Sequence, residues 1–342
     1  MKAHLPILTL VVLHLILQVL PLQAQQMVFN PVVPQEGTLK GIVRGITQDA
    51  HGYMWFAATG LHRYDGYHFT SYFNDPSNPY SLAADRLESV YTDHNGIIWV
   101  GTFGAGLDRF DPSTGIFSHF KYMADDSTTL SNNIVTVIIE DQGGVIWVGT
   151  HGGLNRLDQK TGKFTRYQHK ANDPGGLSNN QVRALYEDRQ GTIWVGTGSP
   201  FASDSTLPGE GGLNRLDKKS GTFTRYMHNP KDINTIIDNK VRAIYEDSRG
   251  NFWVGTSGDG LHTMDRAKGT FIRHLYDPAH PEKLSRPYLK RRRTGDGVTF
   301  IHEDATGSIW IGTYEGGLNL YNPKTGLVTH YEGRQQPDSL FD

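Results

Sequence analysis

One short frame, D-x-x-G-x-x-W, is written six times along the 342 residues. It falls at Asp49/Gly52/Trp55, Asp93/Gly96/Trp99, Asp141/Gly144/Trp147, Asp188/Gly191/Trp194, Asp247/Gly250/Trp253 and Asp304/Gly307/Trp310, and uses all six tryptophans of the protein. The copies recur roughly every 50 residues, the period of a repeat architecture in which each unit is one supersecondary element. Such a unit cannot bury its apolar face alone and must stack on its neighbour.

Each unit reads as four strands. Strand A precedes the frame, as in Val182-Arg-Ala-Leu-Tyr-Glu187; strand B carries the Trp; strand C reads L-N-R-L-D; strand D reads x-F-T-R-Y. Asp at the first turn position accepts backbone N–H groups and Gly at the fourth takes a positive φ, which suits a tight hairpin. D-P-S-T-G at Asp111 to Gly115 and D-Q-K-T-G at Asp158 to Gly162 supply the second hairpin turn with the same chemistry. A Gly or Pro interrupts any helical reading within about 8 to 12 residues. Four short antiparallel strands per repeat make one propeller blade. The expected fold is therefore an all-β propeller of six complete four-stranded blades over 41–335. A large flat Trp at one strand B position per blade is expected to fill the gap to the next blade.

Composition narrows the function. There are 33 basic and 35 acidic residues, a net charge of −2, and no long block of one sign beyond Lys290 to Arg293. That balance argues against nucleic acid as a partner. Cysteine is absent, which excludes disulfides and thiolate metal sites. Residues 1–24 read as a secretory signal peptide: Lys2, an apolar run from Leu5 to Leu20, then small Ala24 before a cut at Gln25. The run is shorter than the roughly 20 residues a membrane span requires. The expected location is periplasmic or extracellular.

The pattern L-S-N-N-x-V…E-D-x-x-G-x-I-W-V-G-T-x-G-G-L-N-R-L-D…T-G-x-F-x-x-Y, fullest in the third and fourth repeats, resembles the two-component regulator propeller repeat. That repeat belongs to the periplasmic sensor regions of bacterial hybrid histidine kinases. The resemblance covers essentially the whole mature chain. It implies a ligand-sensing propeller upstream of a transmembrane helix and a kinase, often tied to carbohydrate use. Departures are local: Ala57-Ala58 replaces Gly-Thr in the first repeat, and Thr263 and Leu320 replace the strand C Arg in the fifth and sixth. Phospho-accepting and ATP-binding regions are not found in these residues, so kinase activity is not expected of them, and membrane attachment would come only through a missing C-terminal segment.

Local motifs for chemistry are sparse. The W-V-G-T-x-G-G glycines lie between two strands with no Lys-Ser/Thr and no following helix, which argues against a phosphate loop. Fifteen histidines include no H-x-x-x-H or H-x-H pair. His62 and His262 share a strand C position, and only pairing across blades could make them ligands; no metal or cofactor is expected. The position five residues before each turn Asp is polar throughout: Arg44, Glu88, Thr136, Arg183, Arg242 and Thr299. Three residues before it stand Ile46, Val90, Ile138, Leu185, Ile244 and Ile301. This contrast suggests a polar ring at one channel mouth above an apolar collar. The ring either hydrogen-bonds neighbouring blades or contacts a ligand.

Both large length changes, Gly198 to Glu210 in the fourth B–C turn and Pro278 to Gly297 before the sixth blade, fall on the face opposite the D-x-x-G turns. Variable loops on a rigid scaffold are where binding resides. A small polar ligand, expected to be an oligosaccharide, is thus placed against Arg44, Glu88, Arg183 and Arg242 and covered by the Phe201 loop, with a downstream kinase portion or subunit as partner. The alternatives are a streptogramin-lyase-like enzyme and a structural interaction propeller. Finally, 25–40 supplies a spare strand and 336–342 the start of another connector. Together they suggest a seven-bladed ring from which three strands are lost.

Overall fold

The computed structural model describes residues 41–199, 211–257, 260–275, 297–314 and 317–331, together with Phe29, Leu39, Asp277, Ala279, His280, Glu282 and Lys283. The expected signal peptide, spare strand and final connector lie outside the described residues. Within 41–331 stand six separate four-stranded sheets, each an antiparallel meander A-B-C-D. In the third, strand A is Val135–Glu140, B Ile146–Thr150, C Gly153–Asp158 and D Lys163–Tyr167. The strand A segments pack side by side in sequence order from Gly45–Gln48 through Leu87–Thr92, Val135–Glu140, Val182–Glu187 and Val241–Glu246 to Val298–Glu303. This is a β-propeller.

The repeated Asp does more than close a turn. In the third blade Asp141 Oδ1 accepts the amides of Gly143 and Val145, both at 3.0 Å, while Oδ2 accepts Trp147 Nε1 at 2.9 Å. The indole bond recurs in all six blades at 2.8–2.9 Å. A buried indole N–H needs an acceptor, so Asp and Trp are repeated as a couple. The frame is a folding unit in which the turn presents the carboxylate and the carboxylate orients the wedge.

Each wedge points at the next blade. Trp55 packs with Val90, Val100 and Phe110; Trp99 with Ile138, Val148 and Leu157; Trp147 with Leu185, Val195 and Leu216; Trp194 with Ile244, Val254 and Met264; Trp253 with Ile301 and Ile311. The expected apolar collar is thereby corrected: Val90, Ile138, Leu185, Ile244 and Ile301 form inter-blade core rather than channel lining. Glycine in strand B lets the blades close up. A Cβ on Gly149 would lie 2.5 Å from Val182 Cγ1 of the next blade. Carboxylates clasp the seam, since Glu187 Oε2 accepts the Gln142 amide at 2.6 Å and Glu246 Oε2 that of Arg189 at 2.9 Å.

The two ends of the series differ from its interior. Ile46, the first-blade counterpart of those core aliphatics, is 57% exposed, whereas the other five are at most 9% exposed. Trp310 is only half-buried and stacks on Tyr331 of its own blade. The three atoms nearest a Cβ on Gly312 all belong to Phe300 of its own blade. The expectation that all six indoles are equivalently buried therefore holds for five. Among the described residues no further blade covers Trp310 or Ile46.

Candidate functional site at the channel mouth

The polar position of strand A is made by a β-bulge. Pairing with strand B runs Val182↔Thr197, then Ala184↔Gly196, leaving Arg183 as the extra residue. The same slip leaves Glu88, Thr136, Arg242 and Thr299 over in their blades. A bulge interrupts the alternation of the strand and re-aims one side chain. The backbone thus turns out one residue per blade at the start of strand A, while its neighbours stay in the inter-blade core. Arg44 lies just outside its strand, with its amide bonded to Ala57 O at 2.9 Å.

The ring divides chemically. Thr136 is structural: its hydroxyl donates to Val182 O of the next blade at 2.6 Å. Glu88, with a side chain only 14% exposed, pairs with Arg44 at 3.5 Å and Arg86 at 3.9 Å. Among the described residues Arg183 makes one hydrogen bond, from Nη1 to His151 Nε2 at 3.4 Å. Burial, then the charge of Arg242, push its pKa down to about 10. Burial also lowers the pKa of Arg242, against which Tyr314 acts. No hydrogen bond or ion pair engages the Arg242 guanidinium among the described residues. Of the residues expected at a site, Arg44 pairs with Glu88, and the charges of Arg44, Glu88 and Arg242 all reach Arg183, whereas Phe201 lies outside the described residues.

A second tier at the mouth escaped the sequence reading. The residue following the Gly-Thr of strand B is held over the start of strand A by its amide: Phe103 bonds Arg86 O at 2.9 Å, His151 bonds Ile134 O at 3.1 Å, and Tyr314 bonds Gly297 O at 2.9 Å. These bonds also place the B–C turns and the D–A connectors on one face, as expected. Gln159 Nε2, bonded to Gly144 O at 3.1 Å, ties a C–D turn to an A–B turn on the other. Arg86 stacks its guanidinium 3.5 Å from the centroid of Phe103, and Tyr314 is 63% exposed. The signal was available: in a repeat otherwise fixed, this position reads Thr59, Phe103, His151, Gly198, Ser257 and Tyr314.

Of the two strand C histidines, His262 is a connector clamp, whereas His62 is held within its own blade. His262 Nε2 accepts the Ile237 amide at 3.0 Å, so its proton sits on Nδ1, facing Val254 O at 3.1 Å. Asn155 and Asn214 do the same work for the Ser131 and Ser178 amides, both at 2.8–2.9 Å. His62 bonds Thr59 O and Ser71 Oγ. No group of three or more metal-ligating side chains occurs among the described residues, and none of their helices is long and apolar enough to cross a membrane.

Comparison with known proteins follows the geometry. The two component regulator propeller family matches 129–152, 176–199 and 235–258, each segment running from a connector through the strand B Trp. No curated protein matches the chain. Among solved structures it is similar to the extracellular domain of a protein from B. thetaiotaomicron described as a hybrid two component system, BT3049: 28% identity and a TM-score of 0.71 over 89% of this chain. The chain spans 36% of that protein's length. Virginiamycin B lyase of Staphylococcus aureus, 13% identical with a TM-score of 0.58, covers 86% of this chain and 85% of its own. PorZ of Porphyromonas gingivalis, a surface component of the type-IX secretion system, is 16% identical with a TM-score of 0.62 over 90% of this chain and 44% of its own. Those two share the fold alone. The chain is a β-propeller in which three of the six repeats match the two component regulator propeller family.

Proposed function

We propose that this propeller is the extracytoplasmic ligand-sensing module of a two-component system, and that its ligand binds at the channel mouth where the six strand A segments begin. The observation that carries the reading is the bulge: it turns out Glu88, Arg183 and Arg242, with Arg44 paired to Glu88 beside them, on the face that carries the exposed aromatic rings of the B–C turns. Ordered polar groups under aromatic faces suit an oligosaccharide, whose hydroxyls take hydrogen bonds while its C–H faces stack on rings. The similarity to the BT3049 extracellular domain supports a sensing role outside the cytoplasm. Signal output belongs to a kinase portion or subunit beyond these residues.

The test is a thermal-shift screen of the mature chain against di- to tetrasaccharides, repeated on an Arg183→Ala/Arg242→Ala double variant. A saccharide that raises the melting temperature of the parent and not of the double variant supports the reading. Equal affinity in the two proteins, or bound ligand among the D-x-x-G turns, refutes it. Turnover of any saccharide or cyclic peptide in the same screen favours an enzyme instead.

A further inference from the structure

The chemical character of the ligand can be taken further, resting on the mouth being the ligand site. Four guanidiniums, Arg44, Arg86, Arg183 and Arg242, stand there with one carboxylate turned out by strand A, Glu88. That carboxylate is engaged by Arg44 at 3.5 Å and Arg86 at 3.9 Å. The connector carboxylates Asp85 and Asp238 accept the backbone amides of Asn74 and Lys240, both at 2.7 Å. Arg183 and Arg242 remain as two half-buried cations; the charges of Arg242 and Arg44 act against Arg183, and that of Glu88, already shared with Arg44 and Arg86, offsets them only in part. Neither has a carboxylate partner among the described residues.

Such an arrangement is unfavourable on its own. A guanidinium stays charged at neutral pH, so burial and mutual repulsion cannot be relieved by losing a proton. His151, beside Arg183 at 3.4 Å, offers no counter-charge, and burial followed by Arg183 holds its pKa below the ordinary value. The fold enforces the arrangement, because each arginine is the surplus residue of a bulge. Two planar forks with free donors match the two or three oxygens of an oxyanion.

We propose that Arg183 and Arg242, with His151 beside them, bind an oxyanion carried by the ligand, a carboxylate or a sulfate ester, so that the sensed molecule is an acidic sugar. Anion binding supplies a counter-charge that no carboxylate among the described residues brings within ion-pair distance, and His151 joins as a donor when it takes up a proton. Phe103 and Tyr314 serve the uncharged part of the sugar.

The first test needs no knowledge of the sugar. The mature chain, labelled at arginine with nitrogen-15, is titrated with sodium sulfate and with sodium acetate against sodium chloride at matched ionic strength. Millimolar sulfate or acetate should shift the Nε–H signals of Arg183 and Arg242 and raise the melting temperature, the stronger of the two identifying the group. An Arg183→Gln/Arg242→Gln double variant should lose the effect at least tenfold. Without added anion, that variant should melt no lower than the parent, since two half-buried cations with no ion pair among the described residues have been removed. A marked fall would mean that the arginines are structural, and no signal shift up to 50 mM of either anion would overturn the oxyanion site. The second test compares a galacturonic acid disaccharide with the matching galactose disaccharide and galactose 6-sulfate. A neutral disaccharide that binds at the mouth as tightly as the acidic one, and equally well to the double variant, would overturn the anion requirement while leaving the sensor reading intact. Saccharide binding confined to the D-x-x-G face would overturn both.

Discussion

His262 should make this propeller sensitive to mild acid, and replacing it with asparagine should remove that sensitivity. The imidazole is fully buried, and its Nε2 accepts the Ile237 amide, a role that a protonated ring cannot perform. Burial, the dominant cause, holds its pKa at about 4, against an ordinary value of 6.5. The folded-state value lies below the unfolded one, so between pH 6.5 and 4 the unfolded chain binds more protons. Stability contributed by the neutral ring is therefore complete above pH 6.5 and is lost as pH falls toward 4. The shift of 6.5 − 4 = 2.5 corresponds to about 3 kcal/mol lost by pH 4, at up to about 1.4 kcal/mol per pH unit. Other histidines titrate in the same window: His274 is held at about 4 by burial, and His119 is raised by its bond to Asp108 and works in the opposite sense. The difference between parent and His262→Asn isolates the one ring. Asparagine already makes this clamp in the third and fourth blades, and any packing loss it brings is independent of pH. Urea unfolding followed by tryptophan fluorescence at half-unit steps from pH 7 to 4.5 measures both slopes. The variant should lose stability less steeply by about 1 kcal/mol per unit between pH 5.5 and 4.5. Equal slopes would show that the clamp does not govern the acid response.

Three further outcomes follow from the seams. Trp147→Ala should cost about 3–5 kcal/mol in urea unfolding, whereas Trp310→Ala should cost less than half as much, because no described blade covers that indole; equal losses would contradict the packing. Gly149→Ala should lose about 1–3 kcal/mol by overpacking against Val182, and Gly312→Ala clearly less, since the atoms nearest its new methyl belong to the movable ring of Phe300; the reverse order in thermal melts would refute the seam geometry. A chain extended by one further repeat of about 45 residues should melt higher and stay monomeric in light scattering, because the new sheet covers Trp310 and Ile46. Unchanged melting and association would mean that those two faces need no seventh blade.

Much of this fold was legible because one frame recurs and each of its residues has a local duty. Asp and Gly fix a hairpin, strand lengths follow from the turns, and a Trp at constant offset must fill a constant gap. The coupling of Asp141 to Trp147 Nε1 was not legible: the same Asp fully explains a turn, and nothing along the chain says that its second oxygen reaches across to the indole. Alternation in strand A likewise misplaced Ile138 and Leu185 in the channel. A bulge breaks the two-residue period, and the sequence carries no mark of it until the pairing with strand B is known. For the same reason Arg183 and Arg242 could be placed on one ring by counting, but not sorted from Thr136, whose hydroxyl is spent on the next blade. Phe103, His151 and Tyr314 sit in turns whose direction depends on amide bonds to Arg86, Ile134 and Gly297, well back along the chain at the start of strand A.

The most direct test of the mouth as the ligand site is hydrogen–deuterium exchange of the mature chain, with and without the saccharide that most raises its melting temperature. Slower exchange should appear in the peptides containing Arg44, Arg86 to Glu88, His151, Arg183, Arg242 and Tyr314, with the D-x-x-G turns unchanged. Protection confined to those turns, at Asp49 to Gly52, Asp141 to Gly144 and their counterparts, would contradict it.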